Sequence, residues 1–208
     1  MRESRSRPGK IVCVGRNYRE HAKELGNEVP KEPLIFLKPP SSVVWEGEAI
    51  LLPVMSEKVE HEGEIGVVVG KTLTRVGERD VLRGIRAVVA VNDVTARDLQ
   101  KSDGQWTRAK GFDTFCPLGE ESSELPDLES LSVVTRVNGV ERQRGKSSEM
   151  VFSIPSLLAY ISQIMTLEPG DLVATGTPSG VGPLVAGDFV EVEIPGVSRV
   201  SNPVQGSV

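Results

Sequence analysis

Twenty-one glycines and fourteen prolines interrupt this chain of 208 residues, so no apolar stretch runs far before a turn residue breaks it. Proline fixes φ and lacks a backbone donor, and glycine takes turn conformations that other residues avoid. No run approaches the roughly 20 apolar residues that a membrane helix needs. Between the breaks valine is abundant, while aromatic residues make up only 4%. β-Branched side chains fit the pleated, half-buried surface of a sheet. The chain therefore reads as mostly strand in short segments: residues 11–14, 34–37, 64–69, 87–91, 131–137, 171–175 and 188–194. In the last of these, Phe189, Glu191 and Glu193 alternate with Val190, Val192 and Ile194, which predicts one wet face.

The pattern Leu167-x-x-Gly170-Asp171-Leu172-Val173 recurs as Leu184-x-x-Gly187-Asp188-Phe189-Val190. Each copy reads as a turn delivering the chain into a strand, and the unit is too short for a solenoid repeat. Helices are predicted over about residues 19–25, 95–100 and 153–165. In the third, Ser153 suits the N-cap and Pro155 falls in the first turn, where its missing N–H costs little. Leu157, Leu158, Ile161 and Met165 then form an apolar stripe that stops before Pro169-Gly170. No linker divides the chain. A single domain over residues 1–208 is expected, with residues 1–9 as a flexible tail and the acidic residues 120–127 as a surface loop.

The formal charge is -5, and the isoelectric point is ≈ 5.3. A broad nucleic-acid surface needs net positive charge to displace counterions, so that class is disfavoured. Small anions, which need only a few local cations, are not. Hydrophobic residues at 38% and charged residues at 25% argue against both disorder and membrane residence. The first ten residues are basic with no apolar segment behind them, unlike a secretory signal, and a cytoplasmic location is expected. Cys13 and Cys116 are too far apart for a CxxC pattern and read as two buried thiols in a reducing compartment.

Chemistry concentrates in a few segments. In His61-Glu62-Gly63-Glu64-Ile65-Gly66-Val67 a strand places Glu62 and Glu64 on one face, with Ile65, Val67 and Val69 on the other. Two neighbouring carboxylates must be solvated, share a proton or bind a cation. An edge strand with a wet face is the plain alternative. His61 lies on the opposite face and is not counted as a ligand. Asp93 follows an apolar strand in Asn92-Asp93-Val94-Thr95-Ala96-Arg97-Asp98, where Thr95 and Asp98 have capping-pair spacing; it serves either function or a simple turn. Glu62, Glu64 and Asp93 together would form an oxygen-only site suited to Mg²⁺ or Mn²⁺ rather than zinc. His21 and Glu24, three apart, share a helical face. They make either a general base with an oriented imidazole or an incidental surface pair, and spacing alone favours the latter. Lys110, among bulky apolar residues, is a candidate to face an anion. The loop Thr175-Gly176-Thr177-Pro178-Ser179-Gly180 lacks the order of a nucleotide P-loop but can still present backbone N–H groups to a carboxylate.

Taken together, Gly15-Arg16-Asn17-Tyr18 with His21, Phe36-Leu37-Lys38-Pro39, Glu62-Gly63-Glu64, Asn92 to Asp98, Lys110-Gly111-Phe112-Asp113 and Thr175-Gly176-Thr177-Pro178 resemble the fumarylacetoacetate hydrolase family. The similarity is to its small single-domain members of the acylpyruvase and oxaloacetate decarboxylase type, in order from about residue 10 to 195. The resemblance implies an α+β, predominantly β fold of the mixed β-roll type with few short helices, a homodimer, and Mg²⁺ or Mn²⁺. It places Glu62, Glu64 and Asp93 on metal ligands, His21 and Glu24 on a water-activating pair carried by a lid, and Lys110 beside the substrate oxygens. Arg16, Gln100 and Thr177 fall on substrate contacts, and Arg97 on a structural position. The implied activity is cleavage of C–C bonds in small 2-oxo acids through a pyruvate enolate: acylpyruvate hydrolysis, oxaloacetate decarboxylation, or both. Two alternatives stand beside it: an isomerase or tautomerase of 2-hydroxy-dienoic diacids, and a non-catalytic domain that binds divalent ions.

Overall fold

A computed structural model describes residues 6–24, 26 and 28–206. Each segment expected to be a strand is one. Leu34–Lys38, Ile11–Gly15, Leu172–Ala174, Gly63–Val69 and Ile85–Asn92 lie side by side, in that order, in a five-stranded sheet. The Ile11–Gly15 and Leu172–Ala174 strands run parallel, and the other neighbours antiparallel. Both faces are covered, which explains the near-continuous valine runs. Val12, Ile65, Val67, Val69, Val88 and Val173 join one core, packed with the helix Ile154–Ile164 and with Val133, Val192 and Ile194. Cys13, Val68, Val89, Val91 and Ala174 join a second core, against Phe36 and Trp45. Gly66 faces the second core, where a Cβ would lie 2.4 Å from Val91 Cγ2.

A second five-stranded sheet is ordered Val140–Lys146, Ser132–Val137, Phe189–Ile194, Ser198–Gly206 and Ile50–Leu52. Its Phe189–Ile194 strand has the predicted wet face: Val190, Val192 and Ile194 are buried, and Glu191 and Glu193 pair with Arg136. The strands Val140–Lys146 and Ser198–Gly206 were not expected, because charged and polar residues mask their alternation. The available signal was Asn138-Gly139, both with positive φ (52° and 76°), which makes the two-residue hairpin turn into Val140–Lys146. The architecture is α+β and predominantly strand.

Helices depart more from expectation. Arg19–Glu24 forms, while Leu25 lies outside the described residues. Thr95–Ala96 is a short strand, and the next helix runs Arg97–Asp103. The Thr95/Asp98 capping pair does not form: the Thr95 hydroxyl donates to Asp93 O, and Asp98 accepts from Ser56 Oγ and the Glu57 N–H. Tertiary partners outbid the local cap. Ser153 caps Ile154–Ile164 as predicted, accepting from Ser156 N. Of the tail expected at residues 1–9, residues 6–9 lack regular structure, though Pro8 is buried, and residues 1–5 lie outside the described residues. Cys13 and Cys116 are buried and unlinked, and burial pushes the Cys116 thiol up to about 12.

The two copies of the repeated pattern form the same turn. Gly170 and Gly187 have φ of 92° and 95°. Asp171 and Asp188 each accept, through Oδ2, the N–H three residues back, at 2.7 and 2.9 Å. They differ in burial and partner: Asp171 is buried and also holds the Lys10 ammonium and N–H, whereas Asp188 is half-buried and also accepts from the neutral Asn138 Nδ2 at 2.8 Å. Asp188→Ala is expected to cost about 1 kcal/mol, and Asp171→Ala about 2–3 kcal/mol, in urea denaturation. Equal losses would mean that the turn alone, and not the Lys10 contact, sets the stability.

Candidate active site

The strand Gly63–Val69 pairs with Ile85–Asn92 so that Gly63 lies opposite Asn92. Glu62 sits at the break between Val59–His61 and Gly63–Val69, and Asp93 just past the end of Ile85–Asn92. The junction is tied by Asp93 N–H donating to Glu62 O at 2.8 Å and Glu62 N–H donating to Asn92 Oδ1 at 3.0 Å. As a result Glu62, Glu64 and Asp93 converge, with one carboxylate oxygen of each lying within 4.8 Å of the others. All three are buried, so a wet edge strand is excluded for the two glutamates.

Buried cations surround them. Lys110 Nζ donates to Asp93 Oδ2 at 2.6 Å and to Glu62 Oε2 at 2.8 Å. It reaches them from the end of the short helix Thr107–Lys110, closed by Gly111, where a Cβ would meet Thr107 O at 2.5 Å. Lys38 Nζ donates to Asp93 Oδ1 at 2.7 Å. Arg97 donates to Glu62 Oε1 through Nη2, to Glu60 Oε2 through Nε at 2.7 Å, and to Gln100 Oε1 through Nη1. Lys38 and Arg97 are therefore more than their motifs suggested. The sequence signal for Lys38 was a lysine ending an apolar strand in phase with Phe36.

The ring contains four buried carboxylates (Glu60, Glu62, Glu64 and Asp93) and three buried cations (Lys38, Arg97 and Lys110). Glu60, Glu62 and Asp93 are each ion-paired. Glu64 makes no ion pair among the described residues; it accepts one hydrogen bond, from Gly176 N–H at 2.8 Å. Its ionisation reflects this. Burial, followed by the charges of Asp93 and Glu62, raises Glu64 well above the ordinary carboxylate range. Burial acts the same way on Glu62, but Lys110 and Arg97 outweigh it and hold that carboxyl far below the range. For Lys110, burial opposes the charge, and Asp93 and Glu62 prevail and raise it. Glu60 also meets the exposed Lys58 at 3.2 Å, so Glu64 is the carboxylate of the four left without a cation, and such a set of hard oxygen donors is chemically fitted to a divalent cation.

Arg16, His21, Glu24, Gln100, Lys110 and Thr177 line one cavity of about 340 Å³ together with the three acids, so the structure brings every predicted site residue into one place. His21 is buried, and its Nδ1 lies 3.2 Å from Glu24 Oε2, while Glu24 Oε1 accepts from Gly180 N–H at 3.0 Å. The pair stands at the cavity's rim, with the imidazole buried and the Glu24 residue exposed. Arg16 has a left-handed φ of 59° and lies 6.0 Å over the Trp106 ring. Trp106 stands edge-on to Phe36 at 5.2 Å, and these rings form the apolar wall. The Thr177 hydroxyl is already engaged: it donates to Gly63 O at 2.8 Å and accepts from Gln143 Nε2 at 2.7 Å. His61, set aside as a ligand, spends Nδ1 on Gln143 Oε1 at 2.9 Å.

The unpaired carboxylate generates a signed prediction. An acid whose folded pKa is raised adds stability below its unfolded pKa and loses it as pH rises through the folded one, so at neutral pH Glu64 is a cost. Glu64→Gln removes that cost while discarding a ligand atom. In chelator its melting temperature should equal or exceed the parent's, and the rise that Mn²⁺ gives the parent should vanish. A destabilised variant that still responds to Mn²⁺ would contradict the charge argument.

The sequence matches the fumarylacetoacetate (FAA) hydrolase C-terminal family over residues 10–205. It is 46% identical over 208 residues to a mitochondrial oxaloacetate tautomerase of Arabidopsis thaliana, covering 96% of this chain and 92% of that protein. It is 43% identical over 195 residues to a mitochondrial oxaloacetate decarboxylase of Dictyostelium discoideum, covering 90% of this chain and 89% of that one. Among solved structures, 5-carboxymethyl-2-hydroxymuconate delta-isomerase from Mycobacterium smegmatis superposes with a TM-score of 0.90 at 41% identity, covering 97% and 80% of the two chains. With the fold, the acidic cluster and this extent of similarity in hand, the chain belongs to the fumarylacetoacetate hydrolase family.

Proposed function

We propose that this chain is a divalent-cation-dependent enzyme acting on small anionic 2-oxo acids through enol chemistry, with oxaloacetate as the reference substrate. The observation that carries the reading is the convergence of three buried carboxylates of which one, Glu64, has no cation partner among the described residues. Glu62, Glu64 and Asp93 would hold Mg²⁺ or Mn²⁺, which when bound supplies electrophilic stabilisation of negative charge on a substrate oxygen. A bound divalent cation beside the Lys110 ammonium would present positive charge suited to a substrate carboxylate.

The chain's own groups divide the remaining work. With Glu24 accepting at Nδ1, His21 keeps its lone pair on Nε2 and can take a proton from a substrate carbon or from water. Glu24 in turn is steadied by Gly180 N–H. Lys110, fixed between Glu62 and Asp93 and 5.0 Å from the Phe36 ring centre, offers a preset positive charge beside the acids. Because Gln100 Oε1 is taken by Arg97, its amide NH₂ is the end left to donate to a substrate carboxylate. Phe36 and Trp106 keep water away from these charges.

Proton transfer between keto and enol forms is the first reading, because the His21–Glu24 pair supplies a base that loss of CO₂ does not require. The Arabidopsis tautomerase and the Mycobacterium isomerase favour it. C–C cleavage, whether oxaloacetate decarboxylation or acylpyruvate hydrolysis, is the second reading, favoured by the Dictyostelium decarboxylase. Both need the same stabilised negative charge.

Enol–keto conversion of oxaloacetate, followed by ultraviolet absorbance with pyruvate release measured in parallel, tests the assignment. With Mg²⁺ the protein should accelerate at least one process, and chelator should abolish the gain. No acceleration of either, or full activity in chelator, would refute the reading. His21→Ala should lower proton transfer about 100-fold or more and spare decarboxylation; equal losses would contradict the role given to the imidazole.

A further inference from the structure

Gln143 lies on the second sheet, in the strand Val140–Lys146, and contributes nothing to the cavity wall. It is nonetheless buried and makes four hydrogen bonds. Its Oε1 accepts from Gly63 N–H at 3.0 Å and from His61 Nδ1 at 2.9 Å. Its Nε2 donates to Thr177 Oγ1 at 2.7 Å and to Pro178 O at 2.8 Å. The Thr177 hydroxyl then donates to Gly63 O. Both polar groups of Gly63, the residue between the two glutamates, are thereby claimed by one carboxamide, directly or through one hydroxyl. Gly63 has no room to move toward it: a Cβ there would stand 1.9 Å from Thr135 Oγ1, a residue paired opposite Gln143. Glutamine is the side chain suited to the task, since it accepts on one atom and donates on the other. His61 completes the acceptor side through its buried Nδ1.

We propose that Gln143 is the positioning residue of the acidic site, clamping the Gly63 peptide and the glycine-rich loop to the second sheet so that Glu62 and Glu64 keep the separation a divalent cation requires. The inference rests on the cation-binding reading above. Its physical content is that groups behind the donor atoms set affinity: removing such partners from metal sites typically costs about 10–100-fold.

Titration of chelator-treated protein with Mn²⁺, by calorimetry and by Mn²⁺ electron paramagnetic resonance, measures this directly in the full chain. Gln143→Met should raise the Mn²⁺ dissociation constant about 10-fold or more. Gln143→Glu, which keeps the acceptor for Gly63 and His61 but not the donors, should recover part of the loss. A melting temperature that falls while Mn²⁺ affinity stays within about twofold of the parent would reduce Gln143 to a packing residue and overturn the proposal. Should Gln143→Met fail to fold, Thr177→Val severs the relay to Gly63 O and should still weaken Mn²⁺ binding; unchanged affinity there counts against the clamp. If the parent itself binds no Mn²⁺, the cation reading falls, and amide exchange judges the clamp separately. Exchange at the amides of residues 176–182, the loop that loses both donors, should be faster in Gln143→Glu than in the parent, and equal exchange would overturn it.

Discussion

Repulsion among buried carboxylates is the constraint around which this structure is arranged. Glu60, Glu62, Glu64 and Asp93 lie together out of water, where one unpaired charge is expensive. Lys38, Arg97 and Lys110 neutralise most of it, each spanning two partners: Lys110 joins Glu62 to Asp93, Arg97 joins Glu60 to Glu62, and Lys38 joins the Asp93 carboxylate to Val94 O. Such bridging matters because a cation held by one acid alone could swing away from the cluster. The remaining imbalance falls on the carboxylate that is anchored by backbone rather than by a cation. Destabilisation is thus localised at Glu64, where binding of an ion can relieve it.

A sheet covered on both faces is what makes so unfavourable a cluster tolerable. Ile65, Val67 and Val69 are locked into one core while Val89 and Val91 are locked into the other. Rotating Glu64 outward would require slipping the strand by one residue, which would exchange every side chain between the two faces. Small residues then admit the polar machinery: Gly66 lets Val91 and Val89 close in, and Gly176, with φ 101°, brings its N–H to Glu64 where a Cβ would strike Asn17. Asn17 holds the neighbouring turn through Thr175 O and Phe152. The glycines that signalled strand breaks in the sequence are, at these points, close approaches of backbone to charge.

Much of this is legible in the sequence, and the exceptions have a common cause. The period of two assigned the faces of Ile65, Val67 and Glu64 correctly, since alternation is a property of the strand itself. Burial of the glutamates was not decidable from their own segment, because it depends on Lys110, forty-eight positions away from Glu62. Gln143 was invisible for the same reason: within Glu141-Arg142-Gln143-Arg144 it reads as one more exposed polar residue, and only pairing with Thr135 turns it inward. The Thr95/Asp98 cap failed because Asp98 met Ser56 and the Glu57 backbone, partners from another part of the chain. Local rules held wherever the deciding contact was local.

The two halves of the site also differ in how they are held. The acids sit on strands embedded between two cores, whereas His21 and Glu24 ride on Arg19–Glu24, a helix of six residues that is too short to be stable alone. Its position depends on the burial of His21 and Ala22 and on the Gly180 N–H reaching Glu24. None of its residues takes part in the ion pairs of Lys38, Arg97 and Lys110 with their carboxylates. On the proposed reading, the group that would move protons is carried by a short helix, and the groups that would stabilise charge by strands embedded between two cores. That division suits the proposed function, in which the acids meet substrate charge and the imidazole moves the proton. It is also compatible with relatives named for tautomerisation and for decarboxylation. On the proposed reading both chemistries would draw on the acids, and only proton transfer would need the imidazole.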